Sequence, residues 1–195
     1  MMEKLNKKIG GMTLETLQRE VGDQWLDKHF GLTSNEEVTD SELIHRIVAS
    51  REAVRKGLKR HSLKAATAFT VSRQTALELI QSALLDEAEY LADWIEDSSD
   101  GEDWVVEKEF DFQIGKGFFN STQHEWNAGA APCSAVRIVL QKTDDYRLFK
   151  IRTVYPVQTE SDKDVMANQA SAFHAMAECA AATFGFGIYA KTAAM

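Results

Sequence analysis

A chain of 195 residues with 44% apolar residues and only two prolines can bury one core of ordinary size, which excludes a disordered or collagen-like polymer. Its net charge of −8 excludes a uniformly basic nucleic-acid binder, because neutralising phosphates needs a surplus of Lys and Arg. The charged start from Met1 to Lys8 leads into no apolar run, and no stretch has membrane length, so neither a cleavable signal nor a membrane span is expected.

The first predicted element is a helix over Thr13 to Lys28, where Leu14, Leu17, Val21 and Trp25 form one stripe and Gly31 supplies a stop. A second helix begins at Thr39, whose hydroxyl and Glu42 three residues on make a capping box; Leu43, Ile47, Val54 and Leu58 would be its buried side. A third, long helix is predicted from Ser72 to Ile95 on the spacing of Leu77, Ile80, Leu84, Ala88, Leu91 and Ile95. The period then changes to two. Val106, Phe110, Phe112 and Ile114 alternate with Glu107, Glu109, Asp111 and Gln113, as in a half-buried strand. Gly115-Lys116-Gly117 reads as a turn that lacks the residues of a phosphate loop, and Phe118 to Pro132 reads as a loop. Cys133 to Gln141 and Tyr146 to Val157 are two further strands joined by a polar turn, Lys142 to Asp145.

Helices followed by an antiparallel meander predict an α+β class, with N-terminal helices packed on a curved antiparallel sheet. One domain over residues 1–157 is expected, helical over 12–97 and sheet over 104–157. Residues 158–195 are an Ala-rich appendage with helical potential from Asp164 to Thr183, ended by Gly185 and Gly187. Cys133 and Cys179 make neither a disulfide framework nor a metal-ligand spacing and are read as free thiols of a reducing cytoplasm. His45, His61, His124 and His174 are scattered without Cys or acid at ligand spacing, so no zinc site, metal or cofactor is expected. Glu107, Glu109 and Asp111 on one strand face read as a solvated edge rather than as the carboxylate pair of a glycosidase.

Charge is unevenly distributed. Residues 51–64 hold Arg51, Arg55, Lys56, Lys59, Arg60 and Lys64 against Glu52, whereas residues 86–111 hold twelve acids against Lys108 alone. Such a chain can present one basic face to RNA while an acidic remainder keeps it soluble or meets a basic partner; the alternative is two solvated helix faces.

Several blocks, in order, resemble the bacterial RNase A-like toxin domains of contact-dependent growth inhibition proteins. Gly22-Asp23-Gln24-Trp25-Leu26-Asp27-Lys28-His29-Phe30-Gly31 is similar to the family's opening block, and Leu43-Ile44-His45-Arg46-Ile47 to its first helix. Ala65-Ala66-Thr67-Ala68-Phe69-Thr70, followed by Thr75-Ala76-Leu77-Glu78, resembles a small-residue strand running into a helix. Val136 to Leu140 and Ile151 to Pro156 resemble the paired closing strands. The resemblance spans about residues 20–157, with two departures: Gln24 stands where the family has its first His, and Asn35 to Glu42 lengthens the spacing from His29 to Arg46.

The resemblance implies an RNase A-like fold and an active site made of His29, Arg46, Thr153 and Tyr155. It also implies a delivered toxin that acts in the target-cell cytoplasm and is neutralised by a cognate immunity protein. These residue types suit metal-independent RNA cleavage, in which the 2′-OH attacks the neighbouring phosphorus and the 5′-oxygen leaves. An imidazole titrates near working pH and can take the 2′-OH proton. A guanidinium matches two phosphate oxygens. Thr153 and Tyr155, two apart on a strand and separated by about 6.6 Å, can reach one phosphate, the Tyr as acid and the Thr as donor to a non-bridging oxygen. Arg51, Arg55, Lys59 and His61 would add RNA affinity without sequence preference. The alternative is a catalytically degenerate domain of this fold that binds RNA or protein.

Overall fold

The computed structural model describes residues 1–22, 30, 38–119, 129–144 and 147–164. The chain divides into two units, Met1–Thr159 and Glu160–Met195; every element named below belongs to the first, and residues 160–164 of the second are helical. The expected tail helix from Asp164 to Thr183 lies almost wholly outside the described residues, as does Cys179.

In chain order the elements are α1 (Met2–Gly10), α2 (Leu14–Val21), α3 (Asp40–Arg55), β1 (Ala65–Phe69), α4 (Arg73–Asp86), α5 (Ala88–Asp97), β2 (Asp103–Glu109), β3 (Gly115–Phe119), β4 (Ala131–Cys133), β5 (Ala135–Lys142) and β6 (Phe149–Val157). The class is α+β. The strands form two antiparallel sheets of three, β1-β3-β4 and β2-β5-β6, rather than one continuous sheet.

The larger core lies between α1, α2, α4 and α5 and one face of the β2-β5-β6 sheet, where Leu5, Ile9, Leu17, Ile80, Leu84 and Leu91 meet Val106, Ile138, Leu140, Phe149, Ile151 and Val154. A smaller core, Leu43, Ile47, Ala66, Ala68 and Phe118, holds α3 on β1 and β3. The capping box of α3 forms as expected: the Thr39 N–H donates to Glu42 Oε2 at 2.6 Å and the Glu42 N–H to Thr39 Oγ1 at 3.3 Å. A second box joins Thr13 and Thr16 at the start of α2.

Several expectations are corrected. The predicted helix from Thr13 to Lys28 ends at Val21, where Gly22 takes φ 99°; Trp25 and Gln24 lie outside the described residues. The helix α1 carries only two buried residues, Leu5 and Ile9, too few to show a period in a charged segment. Leu58 is 75% exposed, because α3 stops at Arg55 and Gly57, with φ 72°, turns the chain away. The long helix is two helices, α4 and α5, parted at Glu87. Its apolar stripe is buried throughout, but Asp86, Glu87 and Glu89 crowd acid at the end of α4, whose last turn holds no basic residue of its own; Lys108 of β2 pairs with Asp86 there at 2.5 Å.

The predicted strand from Val106 to Ile114 ends at Glu109; the chain then crosses to the other sheet, leaving Phe112 exposed and Ile114 buried. Gly115-Lys116-Gly117 is not a turn but the start of β3, and both ends of the expected loop from Phe118 to Pro132 are strand. The glycines are there for close approach. A Cβ at Gly115 would lie 2.5 Å from Pro156 Cβ, and one at Gly117 would lie 2.6 Å from Thr67 Cγ2. Without side chains at these positions, β3 can run against β1 and the end of β6 together.

Candidate active site

A cleft of about 770 Å³ opens between the middle of α3, the loop that follows it, β1 and one face of β6. Its wall on α3 consists of His45, Arg46, Ala49 and Ser50; Lys59 and Leu63 come from the following loop, Ala65, Ala66 and Thr67 from β1, Phe119 from β3, and Thr153 and Tyr155 from β6.

Local chemistry holds each wall. Leu43 and Ile47 pin α3 to β1 and β3, which sets Arg46 at the edge of the buried stripe, half-buried in the cleft wall. The first turn of α3 is tied down by Asp40, which pairs with Lys116 of β3 at 3.1 Å and accepts the Ala130 N–H at 3.2 Å. Buried Ser50 accepts the Leu63 N–H at 2.8 Å, holding the loop with Lys59 against the helix.

On β6 the decisive feature is a bulge. Val139 of β5 pairs with Thr153, but its neighbour Leu140 pairs with Ile151, so Arg152 is the extra residue. Strict alternation would put Thr153 and Tyr155 on the face of Phe149 and Ile151, in the core. The bulge reverses the parity. Phe149, Ile151, Val154 and Pro156 are buried, while Thr153 and Tyr155 are half-exposed and face the cleft. Arg152 itself is held on the sheet by Asp103 at 2.5 Å.

Electrostatically the cleft is basic against an acidic whole. Arg46, Lys59 and His45 line it, and no carboxylate does among the described residues. Burial lowers the Arg46 pKa below its ordinary value, opposed by Glu42 one turn earlier; a guanidinium remains charged, and partial desolvation strengthens its pull on an anion. The acids gather elsewhere: Asp93, Asp97 and Glu102 line a separate pocket with Tyr90, Trp94 and Trp104.

Of the residues expected at the site, Arg46, Thr153 and Tyr155 come together in one cleft. His29 lies outside the described residues. Among those expected to bind RNA, Lys59 lines the cleft, Arg51 and Arg55 are exposed on α3 beyond its lining, and His61 is exposed in the loop. The sequence reading passed over His45, which shares the cleft wall with Arg46 and was set aside only as a zinc ligand. Its place beside Arg46 on one helix was the available signal. No group of three His, Cys, Asp or Glu able to hold a metal occurs among the described residues, and none of their helices is long and apolar enough to cross a membrane.

Comparison with known proteins gives two matches. The family described as the bacterial CdiA-CT RNAse A domain matches residues 39–156, more than half of the chain. A chain in the crystal structure of the CdiA-CT/CdiI complex from Y. kristensenii 33638 superposes with a TM-score of 0.52 at 20% identity, over 70% of this chain and 99% of that one. No curated protein matches.

Proposed function

The chain belongs to the bacterial CdiA-CT RNase A domain family, ribonuclease toxins delivered into target cells, and from that premise we propose that it cleaves RNA without a metal ion by 2′-OH transesterification. The convergence of Arg46, Thr153 and Tyr155, from elements about a hundred residues apart, on one basic cleft carries this reading.

In the proposed reaction His29 takes the proton of the 2′-OH as its oxygen attacks the adjacent phosphorus. Arg46 and Thr153 donate hydrogen bonds to the non-bridging oxygens, where charge accumulates in the transition state. The bond from phosphorus to the 5′-oxygen breaks, and the departing oxygen receives the Tyr155 proton. The products are a 2′,3′-cyclic phosphate and a free 5′-hydroxyl. His45 and Lys59 hold flanking phosphates. Gln24, standing where the family has its first His, leaves the acid role to a phenol.

We further propose that the toxin acts in the target-cell cytoplasm and that a cognate immunity protein neutralises it, as the CdiA-CT/CdiI complex of the structural neighbour suggests. The test is RNA digestion in excess chelator with analysis of product ends. Undiminished cleavage with 2′,3′-cyclic phosphate termini is expected; activity that vanishes in chelator and returns with a divalent ion overturns metal independence. RNA binding without cleavage would instead indicate the degenerate binding module.

A further inference from the structure

Three side chains form a row across the β2-β5-β6 sheet on the face that borders the cleft. Glu107 of β2 stands directly opposite Arg137 of β5, and Arg137 directly opposite Tyr155 of β6. Direct cross-strand partners on one face have side chains within contact distance. The Nε and Nη2 groups of Arg137 both lie 2.6 Å from Glu107 Oε2, which fixes the plane of the guanidinium. Tyr155 is close enough to that guanidinium to favour its charged form, as Glu107 does. Burial opposes the charge on Arg137, yet Glu107 and Tyr155 outweigh that and raise the pKa above its ordinary value.

The neighbouring row is built differently. Thr153 stands opposite Val139, and Val139 opposite Val105, so the second hydroxyl of the cleft has an apolar row beside it. Of the two hydroxyls on β6, the sheet gives charged support to the one that must part with a proton. An exposed Arg-Glu pair alone would contribute little to stability, but a pair whose cation also meets a phenol in a cleft has a chemical consequence.

We propose that Arg137, oriented by Glu107, is a positioning residue for the Tyr155 hydroxyl. An Arg137 N–H donates to the phenol oxygen, which leaves the single O–H of Tyr155 to point at the substrate. When the phosphorus–oxygen bond breaks, its electron pair stays on the 5′-oxygen, which takes the Tyr155 proton. The guanidinium stabilises the resulting phenolate until water returns a proton. This inference rests on the reading of Tyr155 as the acid.

The experiment compares an RNA dinucleotide with a nucleoside 3′-(4-nitrophenyl phosphate), whose nitrophenolate leaves without a proton. Arg137→Gln should lower kcat on the dinucleotide by at least about tenfold, part of the hundredfold or more that a general acid contributes, with little change in KM. On the nitrophenyl ester it should cleave at close to the parental rate. Glu107→Gln should show the same leaving-group dependence to a smaller extent, and it serves as the test if Arg137→Gln does not fold. Arg137→Lys, which keeps the charge, should recover part of the loss. A parental rate on the dinucleotide for Arg137→Gln beside a strong loss for Tyr155→Phe overturns this inference alone, as does an equal loss on both substrates. A parental rate for Tyr155→Phe overturns the active-site reading and this one with it.

Discussion

In the proposed reaction four side chains act on one phosphate and His45 on a flanking one, so their removal should leave different traces. His29→Ala should lower turnover by on the order of a hundredfold or more, the contribution of a positioned base. His45→Ala, which removes an exposed imidazole that only holds substrate, should mainly raise KM. Arg46→Lys should be poor although it keeps the charge, because an ammonium cannot make the two-pronged contact. Tyr155→Phe and Thr153→Val each remove a hydroxyl from a half-exposed position and should retain near-parental stability, with a strong loss of cleavage for the first and a smaller loss for the second. Steady-state kinetics on one dinucleotide, beside a urea midpoint for each variant, checks the set. Parental rates for both His29→Ala and Tyr155→Phe would show that the chemistry lies elsewhere.

At the scale of elements, α3 and β3 place the cleft walls. Thr39→Ala removes the hydroxyl that caps α3 and should cost about 1 kcal/mol, read from denaturant unfolding. The partner of that cap titrates. Hydrogen bonds from the Thr39 backbone N–H, and then from its hydroxyl, hold the Glu42 carboxyl below its ordinary value. A carboxyl lowered in the folded state stabilises it fully above the unfolded value, about 4.3, and loses that contribution as pH falls through the lowered one. Glu42→Gln should therefore be less stable than the parent at neutral pH and approach it in acid. Gly115→Ala tests the crossing of β3 and β6. Its Cβ would meet Pro156 and, at 2.7 Å, the Ala68 carbonyl oxygen, so one strand must move. A loss of about 1–3 kcal/mol is expected, with reduced cleavage because the β1 and β6 walls shift together.

For the whole molecule the question is how a chain of net charge −8 attracts a polyanion. The structure separates the charges: Arg46 and Lys59 line the cleft, while Asp93, Asp97 and Glu102 line a different pocket. Field lines focused by a cleft of one sign act locally, and beyond about 8 Å at physiological salt the remaining acids are screened. Binding should therefore weaken as salt rises, with a slope of about 0.7 per phosphate contacted on single strands. Replacing both Arg55 and Lys59 by Gln should weaken RNA binding across sequences and flatten that slope. An unchanged slope would show that this segment does not face RNA.

Local rules were enough for the features that depend only on near neighbours. The Thr39-Glu42 box, the buried stripe Leu77 to Ile95 and the antiparallel pairing of the last two strands could be read because caps, periods and short connections are properties of contiguous residues. The order of blocks likewise pointed to the family and to Arg46, Thr153 and Tyr155. What depends on distant partners could not be read. Gly115 and Gly117 look like a turn until Pro156 and Thr67 are seen pressing on them. The orientation of Thr153 and Tyr155 depends on the extra residue Arg152, which no period reveals, because a bulge is defined only by the strand opposite. The row Glu107, Arg137 and Tyr155 likewise exists only once register is known. The sequence by itself determined the family and, through it, the residues proposed for the chemistry. The tertiary structure decided which of them share a cleft, because a one-residue change in strand parity turns a buried side chain into an accessible one.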